Sequence, residues 1–225
     1  MCGRFAQRSD PKRLAKEFKL TEVPNVEARY NIAPTQDILS VRRTEDGREA
    51  AMLKWGLVPS WAKDVSIGAK LINARSETVT EKPSFRQAFK KRRCIIPADG
   101  FYEWQRTEGR KQPFFFQMRD ESPFGFAGLW ERWQGVDGQT IESCTILTTE
   151  ANEVLRPVHD RMPVILHPDD YELWLDEDVR KQGLLKDLMQ PYPAEEMMSY
   201  PVSMAINSPH NQGATLIERM TVNSA

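Results

Sequence analysis

The stretch Phe124-Gly125-Phe126-Ala127-Gly128-Leu129-Trp130-Glu131-Arg132-Trp133, then Asp137-Gly138, then Ile141-Glu142-Ser143-Cys144-Thr145-Ile146-Leu147-Thr148-Thr149, reads as two strands folded on a turn. Aromatic and β-branched side chains fit a pleated, half-buried surface, and Asp-Gly supplies the positive φ of a tight hairpin. The same pattern recurs outward from this pair. A strand-like run covers residues 113–119, and two more (94–97 and 101–105) flank Ala98-Asp99-Gly100. Runs at 38–43 and 49–55 flank Asp46-Gly47, a second hairpin signal. Residues 2–6 and 201–206 add candidate strands at the two ends of the chain.

Helix signals fall between the strands. Asp10-Pro11 reads as an N-cap with proline at the first helical position, and Leu14 and Phe18 give that helix an apolar face. Ser84-Phe85-Arg86-Gln87 has the capping-box pattern, and the helix it opens ends in Lys90-Lys91-Arg92-Arg93, cations that complement the dipole. A short helix-like stretch is expected near 152–155. Pro168-Asp169-Asp170 opens another helix, with Tyr171, Trp174 and Leu175 on one face, and Leu184, Leu185, Leu188 and Met189 mark one more. The expected fold is therefore α+β: a single β-rich domain of antiparallel strands over residues 2–220, with peripheral helices and a helical lobe at about 168–190.

At 225 residues the chain is long enough for a sizeable core. Its 31 Lys and Arg against 32 Asp and Glu leave no global attraction to nucleic acid, so any such binding needs a local basic surface. Three cysteines (Cys2, Cys94 and Cys144) provide no disulfide framework, and with three scattered histidines they have no metal-ligand spacing. No metal and no cofactor are expected. No signal-peptide pattern and no membrane-length apolar run occur, so a cytoplasmic protein without membrane association is expected.

Met1-Cys2-Gly3-Arg4-Phe5 carries the first chemical signal. A small second residue favours removal of the initiator methionine, which would leave Cys2 with an α-amine and a thiol on adjacent carbons. Reference pKa values of about 8 and about 8.5 make a fraction of each nucleophilic near neutrality. Such a pair condenses with an aldehyde, first to an imine and then to a five-membered thiazolidine. Four further positions stand out. Asn73 and Arg75 alternate along an extended segment, Glu103 lies between Tyr102 and Trp104, and His159 precedes Asp160 and Arg161 at the mouth of an apolar run. Read singly, each has a plainer alternative: a turn cap, a surface pair, a solvated strand face and a structural histidine.

Together they resemble a known family. Met1-Cys2-Gly3-Arg4-Phe5, Tyr30-Asn31-Ile32-Ala33-Pro34 and Trp55-Gly56-Leu57-Val58-Pro59-Ser60-Trp61 stand in that order. Asn73-Ala74-Arg75-Ser76-Glu77-Thr78, Ala98-Asp99-Gly100-Phe101-Tyr102-Glu103-Trp104 and His159-Asp160-Arg161-Met162-Pro163 follow, with Asn211-Gln212-Gly213-Ala214 as a closing motif. The chain is similar in this to the SRAP (SOS response-associated peptidase) family, from Cys2 to about Ile217. The resemblance implies an open-barrel fold and a monomeric sensor of abasic sites in single-stranded DNA, whose N-terminal cysteine forms a thiazolidine DNA-protein crosslink. It implies that Cys2 crosslinks, Asn73 orients the sugar, Glu103 is the acid/base and His159 assists ring opening. Arg4, Arg75 and Arg161 match positions near phosphates, and Pro34, Trp61 and Trp104 match apolar contacts near the bases or the lesion.

The chemistry is consistent with those roles. A closed hemiacetal exposes its aldehyde only after a proton moves, which suits a histidine, and dehydrating a carbinolamine suits a carboxyl held among aromatics. Two rivals stay open: a cysteine or N-terminal-nucleophile peptidase, and a non-catalytic single-strand binder in which Cys2 is incidental. The Lys90-Lys91-Arg92-Arg93 run reads better as a solvated helix end than as DNA surface.

Overall fold

The computed structural model describes residues 2–107, 109–178 and 182–220. In chain order the strands and helices begin with β1 (Phe5–Gln7), α1 (Pro11–Glu17), β2 (Arg29–Ile32), β3 (Asp37–Thr44), β4 (Gly47–Trp55) and β5 (Asn73–Arg75). Then come α2 (Arg86–Lys91), β6 (Arg93–Ala98), β7 (Gly100–Thr107), β8 (Arg110–Met118), β9 (Phe124–Gln134) and β10 (Thr140–Glu150). β11 (Arg161–Pro163), β12 (Ile165–Leu166), α3 (Tyr171–Leu175), α4 (Gln182–Asp187) and β13 (Met197–Pro201) complete the set.

The β9–β10 hairpin is the spine of a barrel. β10 pairs with β9 on one edge and with β4 on the other, and the order β4-β3-β6-β9 closes the ring. The expected barrel is present, and among the described residues it is closed, not open. Most pairings are antiparallel, but β10 runs parallel to β4 and to β5. A second sheet, β13-β8-β7-β1-β2, packs against the barrel.

The ring strands differ in how much they bury: β4 alternates buried with more exposed residues, whereas most of β9 and β10 is enclosed. β6 is buried along its whole length. Cys94 and Ile96 join a core with Phe5, Trp55, Phe101 and Phe126, whereas Ile95 faces a second core with Leu14, Phe89 and Trp174. The helices supply the outer side of that second core, including Tyr171, Trp174, Leu175, Leu185 and Met189.

Local signals held where the chain closes on itself within a few residues. Asp10 Oδ1 accepts from the backbone N–H groups of Lys12 and Arg13 at 3.0 Å each. Gly47 and Gly138 take φ of 132° and 84° at the two hairpin turns. Three expectations failed. The Ser84 capping box is not used, since α2 is capped by Phe85 without a side-chain hydrogen bond. Around 152–155 the chain forms a run of turns over 153–158, not a helix. The terminal strand lies at Met197–Pro201, where it pairs with β8, and the chain then coils into a 3-10 turn at Met204–Asn207.

Candidate active site

β7 is the strand that gathers the site. Its first residue, Gly100, lies so close to β8 that a Cβ there would meet Phe115 Cζ at 2.2 Å and Phe116 O at 2.7 Å. The glycine lets β7 press into the sheet while β1 pairs along its other side, Phe5 opposite Phe101 and Ala6 opposite Gly100. The Tyr102 N–H then donates to Arg4 O at 3.0 Å. Followed backwards, this antiparallel register brings the Cys2 end of the chain alongside Glu103. Asp99 anchors the corner, accepting from the backbone N–H groups of Arg8 at 2.5 Å and Ser9 at 2.9 Å.

Cys2 is fully buried in the first core. Burial pushes its thiol pKa up, and the Glu103 carboxylate pushes it further in the same direction. Glu103 is 3% exposed, which rules out a solvated strand face. Burial raises its pKa, and the nearby His159 opposes that rise. The three residues therefore form one electrostatic unit drawn from β1's leading end, β7 and the turn before β11.

His159 is held from behind. The backbone N–H of Arg161 donates to Nδ1 at 3.0 Å, and an Asp160 carboxylate oxygen lies 2.9 Å from the same nitrogen. The Arg161 N–H suits an unprotonated Nδ1 and the Asp160 oxygen a protonated one, so the two compete for the same nitrogen. Glu103 and His159 share a cleft of about 490 Å³ with Trp104, Arg106, Lys111 and Asn207. Trp104 is fixed there by its indole N–H, which donates to Asn207 Oδ1 at 2.7 Å, and Gln105 Nε2 donates to Pro157 O at 3.1 Å.

The other residues singled out by sequence have different neighbours. Asn73, on β5 opposite Ile146, donates Nδ2 to Ile146 O at 3.4 Å, and its Oδ1 is buried without a hydrogen-bond partner among the described residues. Arg75 is exposed on the same strand. Arg161 is gripped by Glu77 and also donates Nη2 to Thr148 O at 2.6 Å. Arg4 donates Nη1 to Asn31 Oδ1 at 2.6 Å and to Ile206 O at 2.7 Å, so its guanidinium already clasps the C-terminal segment. Pro34 is half-buried just past β2, and Trp61 is 57% exposed on the loop after β4, its indole N–H donating to Pro83 O at 3.4 Å. Neither lines the Glu103–His159 cleft.

Sequence reasoning missed Asn31, Arg106, Lys111 and Asn207. Asn31 Nδ2 donates to Ser208 O and Asn211 O at 2.9 Å each, joining two motifs that are 177 and 180 positions apart. Asn207 stood in a polar string near the end of the chain, and only the fold puts it beside Trp104. Cys94 and Cys144 are free and buried, and the described residues contain no group of three or more His, Cys, Asp or Glu side chains able to hold a metal. Among the described residues no helix is long and apolar enough to cross a membrane.

An abasic site processing protein, YoqW, from Bacillus subtilis (strain 168) is 43% identical over 222 residues, covering 97% of this chain and 99% of its own. Abasic site processing protein YedK from Escherichia coli (strain K12) is 32% identical over 229 residues, with 97% and 99% covered. A crystal structure of a protein from Bacteroides thetaiotaomicron superposes with a TM-score of 0.88 at 26% identity, covering 98% of this chain and 100% of that one. Another, from Bordetella bronchiseptica, gives 0.80 at 32% identity, with 90% and 100% covered. The family model described as SOS response associated peptidase (SRAP) matches residues 1–209, and the chain belongs to that family.

Proposed function

We propose that this protein processes abasic sites in single-stranded DNA by joining Cys2 covalently to the ring-opened sugar. The observation that carries the reading is the buried Cys2 thiol set against Glu103, with His159 lining the same cleft as that carboxylate. The abasic-site processing named for relatives matched over nearly their full length supports it. The acting unit is residues 2–220, working as a monomer.

The steps balance on these groups. Removal of Met1 frees the Cys2 α-amine. His159 moves a proton between the sugar ring oxygen and its hydroxyl, opening the hemiacetal to the aldehyde. The amine adds to C1′, and Glu103, whose pKa burial raises, gives a proton to the departing hydroxyl as water leaves. The carboxylate so formed takes the thiol proton while Sγ bonds to C1′ and the iminium electron pair returns to nitrogen. Aminothiol and aldehyde thus become thiazolidine and water, and Glu103 ends protonated as it began. In this scheme Asn73 orients the sugar, and Arg75 and Arg161 face phosphates. Arg4 contributes by holding the strand that carries Cys2, and Pro34, Trp61 and Trp104 offer apolar surface to bases.

A thiolate peptidase is disfavoured by the same electrostatics. Cysteine nucleophiles of that kind sit in surroundings that lower the thiol pKa, whereas burial and Glu103 raise it here. A thiol that loses its proton only as the iminium forms suits ring closure better. Intact-mass measurement of the purified protein, with and without an abasic single strand, reports Met1 loss and the adduct together. A protein lacking Met1 that gains no mass on the abasic strand would overturn the reading.

A further inference from the structure

We propose that Arg106 and Lys111 form a two-cation clamp for a phosphodiester next to the lesion. The proposal rests on the abasic-strand reading of the Glu103–His159 cleft and adds residues that sequence motifs do not mark. Arg106 on β7 and Lys111 on β8 are direct cross-strand partners, both exposed, and both line that cleft. Like charges placed directly opposite on a sheet repel and destabilise the pair. Among the described residues neither forms an ion pair, and the hairpin end from Arg106 to Lys111 carries three cations to a single acid in sequence. However its side chains pair, the tip stays net positive in a chain whose overall charge is -1. An anion lying between the two cations would relieve their repulsion.

The cleft determines which anion fits. Trp104 and Asn207 form one side, and Glu103 and His159 stand at the reacting end, so a sugar presented to those two groups carries its own flanking phosphate toward the rim. Two of the three basic groups that motif reading favoured are otherwise occupied, Arg4 on Asn31 and Ile206 and Arg161 on Glu77, whereas Arg75 is exposed on β5, outside the cleft lining. Arg106 and Lys111 have no such engagement among the described residues. A phosphodiester within a strand reaches the rim while the sugar beside it occupies the floor of the cleft.

The test uses a single strand carrying a tetrahydrofuran abasic analogue, which has no aldehyde and so reports binding without crosslinking. Binding is measured across a salt series for the wild type, for Arg106→Ala with Lys111→Ala, and for the charge-preserving Arg106→Lys with Lys111→Arg. The double alanine variant is expected to lower the slope of log affinity against log salt by about 1.4, two contacts at about 0.7 each, so that its loss of affinity between 50 and 200 mM salt is about sevenfold smaller. The charge-preserving variant is expected to keep the wild-type slope. A neutral methylphosphonate placed singly along the strand is expected to weaken wild-type binding only beside the analogue, and not to weaken the alanine variant further. An unchanged slope in the alanine variant, or a methylphosphonate effect confined to distant positions, overturns the clamp. Crosslinking of a true abasic strand by the wild type is scored separately. Its absence would remove the proposed chemistry while leaving the salt-slope result to judge the clamp.

Discussion

Glu77 grips Arg161 with both carboxylate oxygens, Oε1 on Nη1 and Oε2 on Nη2, the latter at 3.1 Å. A bidentate carboxylate fills the same guanidinium fork that a bidentate phosphate would use. The hydrogen bond from Arg161 is the main cause holding the Glu77 pKa below its ordinary value. A depressed carboxylate pKa contributes stability above the unfolded-state value and loses it as pH falls through the folded one.

Glu77→Gln should therefore change two measurements. The variant is expected to show a weaker loss of stability on acidification, read as urea midpoints between pH 3 and 7. Glu77 is 46% exposed although the Arg161 side chain is only 12% exposed, and solvent screening at the carboxylate should keep the neutral-pH difference to about 1 kcal/mol. Single-strand affinity is expected to rise, with a salt slope steeper by about 0.7 as Arg161 becomes available. Weaker DNA binding in Glu77→Gln would mean that the carboxylate orients Arg161 for DNA and does not compete with it.

Glu103 carries the opposite sign. Its pKa is raised by burial, so the native state keeps its proton above the pH at which the unfolded chain has released it. Stability is then fully present below the unfolded-state value and lost as pH rises through the folded one. Glu103→Gln removes that cost and is expected to be more stable than the wild type at pH 8, with the advantage vanishing near pH 4. The same variant is expected to crosslink about 10²–10⁴-fold more slowly, the usual scale of a lost general acid. Denaturant titrations at the two pH values and gel-resolved crosslinking time courses check both halves.

Asn31 joins the first motif to the last. Its Oδ1 accepts from Arg4, and its Nδ2 donates to carbonyls of Ser208 and Asn211. Asn31→Ala removes these three hydrogen bonds from a fully buried side chain and is expected to cost about 3 kcal/mol in urea unfolding. Asn31→Asp restores the acceptor for Arg4 but not the amide donors, and is expected to recover only part of the loss.

Cys2→Ala is expected to form no crosslink that survives denaturing electrophoresis. Cys2→Ser keeps the amine but replaces the thiol with a poorer nucleophile, so the imine persists long enough for β-elimination, and cleaved strand should exceed stable adduct. An N-terminal extension that blocks the α-amine is expected to behave like Cys2→Ala. A stable adduct from Cys2→Ala would move the reacting group elsewhere.

The features legible in sequence were the local ones. Asp10 caps the two amides that follow it, and Asp46-Gly47 and Asp137-Gly138 close hairpins whose strands touch immediately, so neighbouring residues suffice to specify them. Ser84 shows the limit of that logic, since packing of Phe85 and Phe89 into the core sets where α2 starts, over a well-formed capping pattern. The parallel pairings of β10 join residues about 73 to 90 positions apart, and no periodicity announces them. Among the candidate site residues, Glu103 stood out because a carboxyl between aromatic neighbours is costly to bury. Asn207 and the Arg106–Lys111 pair did not, because polar residues near turns are ordinary until the fold brings them to a cleft.

The Arg4–Asn31 clasp also ties distant parts of the chain together. Its acceptors include carbonyls of Ile206 and Ser208, more than 170 positions downstream of both residues. β1 docks on β7 through its own backbone pairing, and the clasp adds a brace from residues 206–208 to the segment that leads from Cys2 into β1. A change at the turn that offers those carbonyls can therefore loosen the segment that carries Cys2 from about 200 positions along the chain.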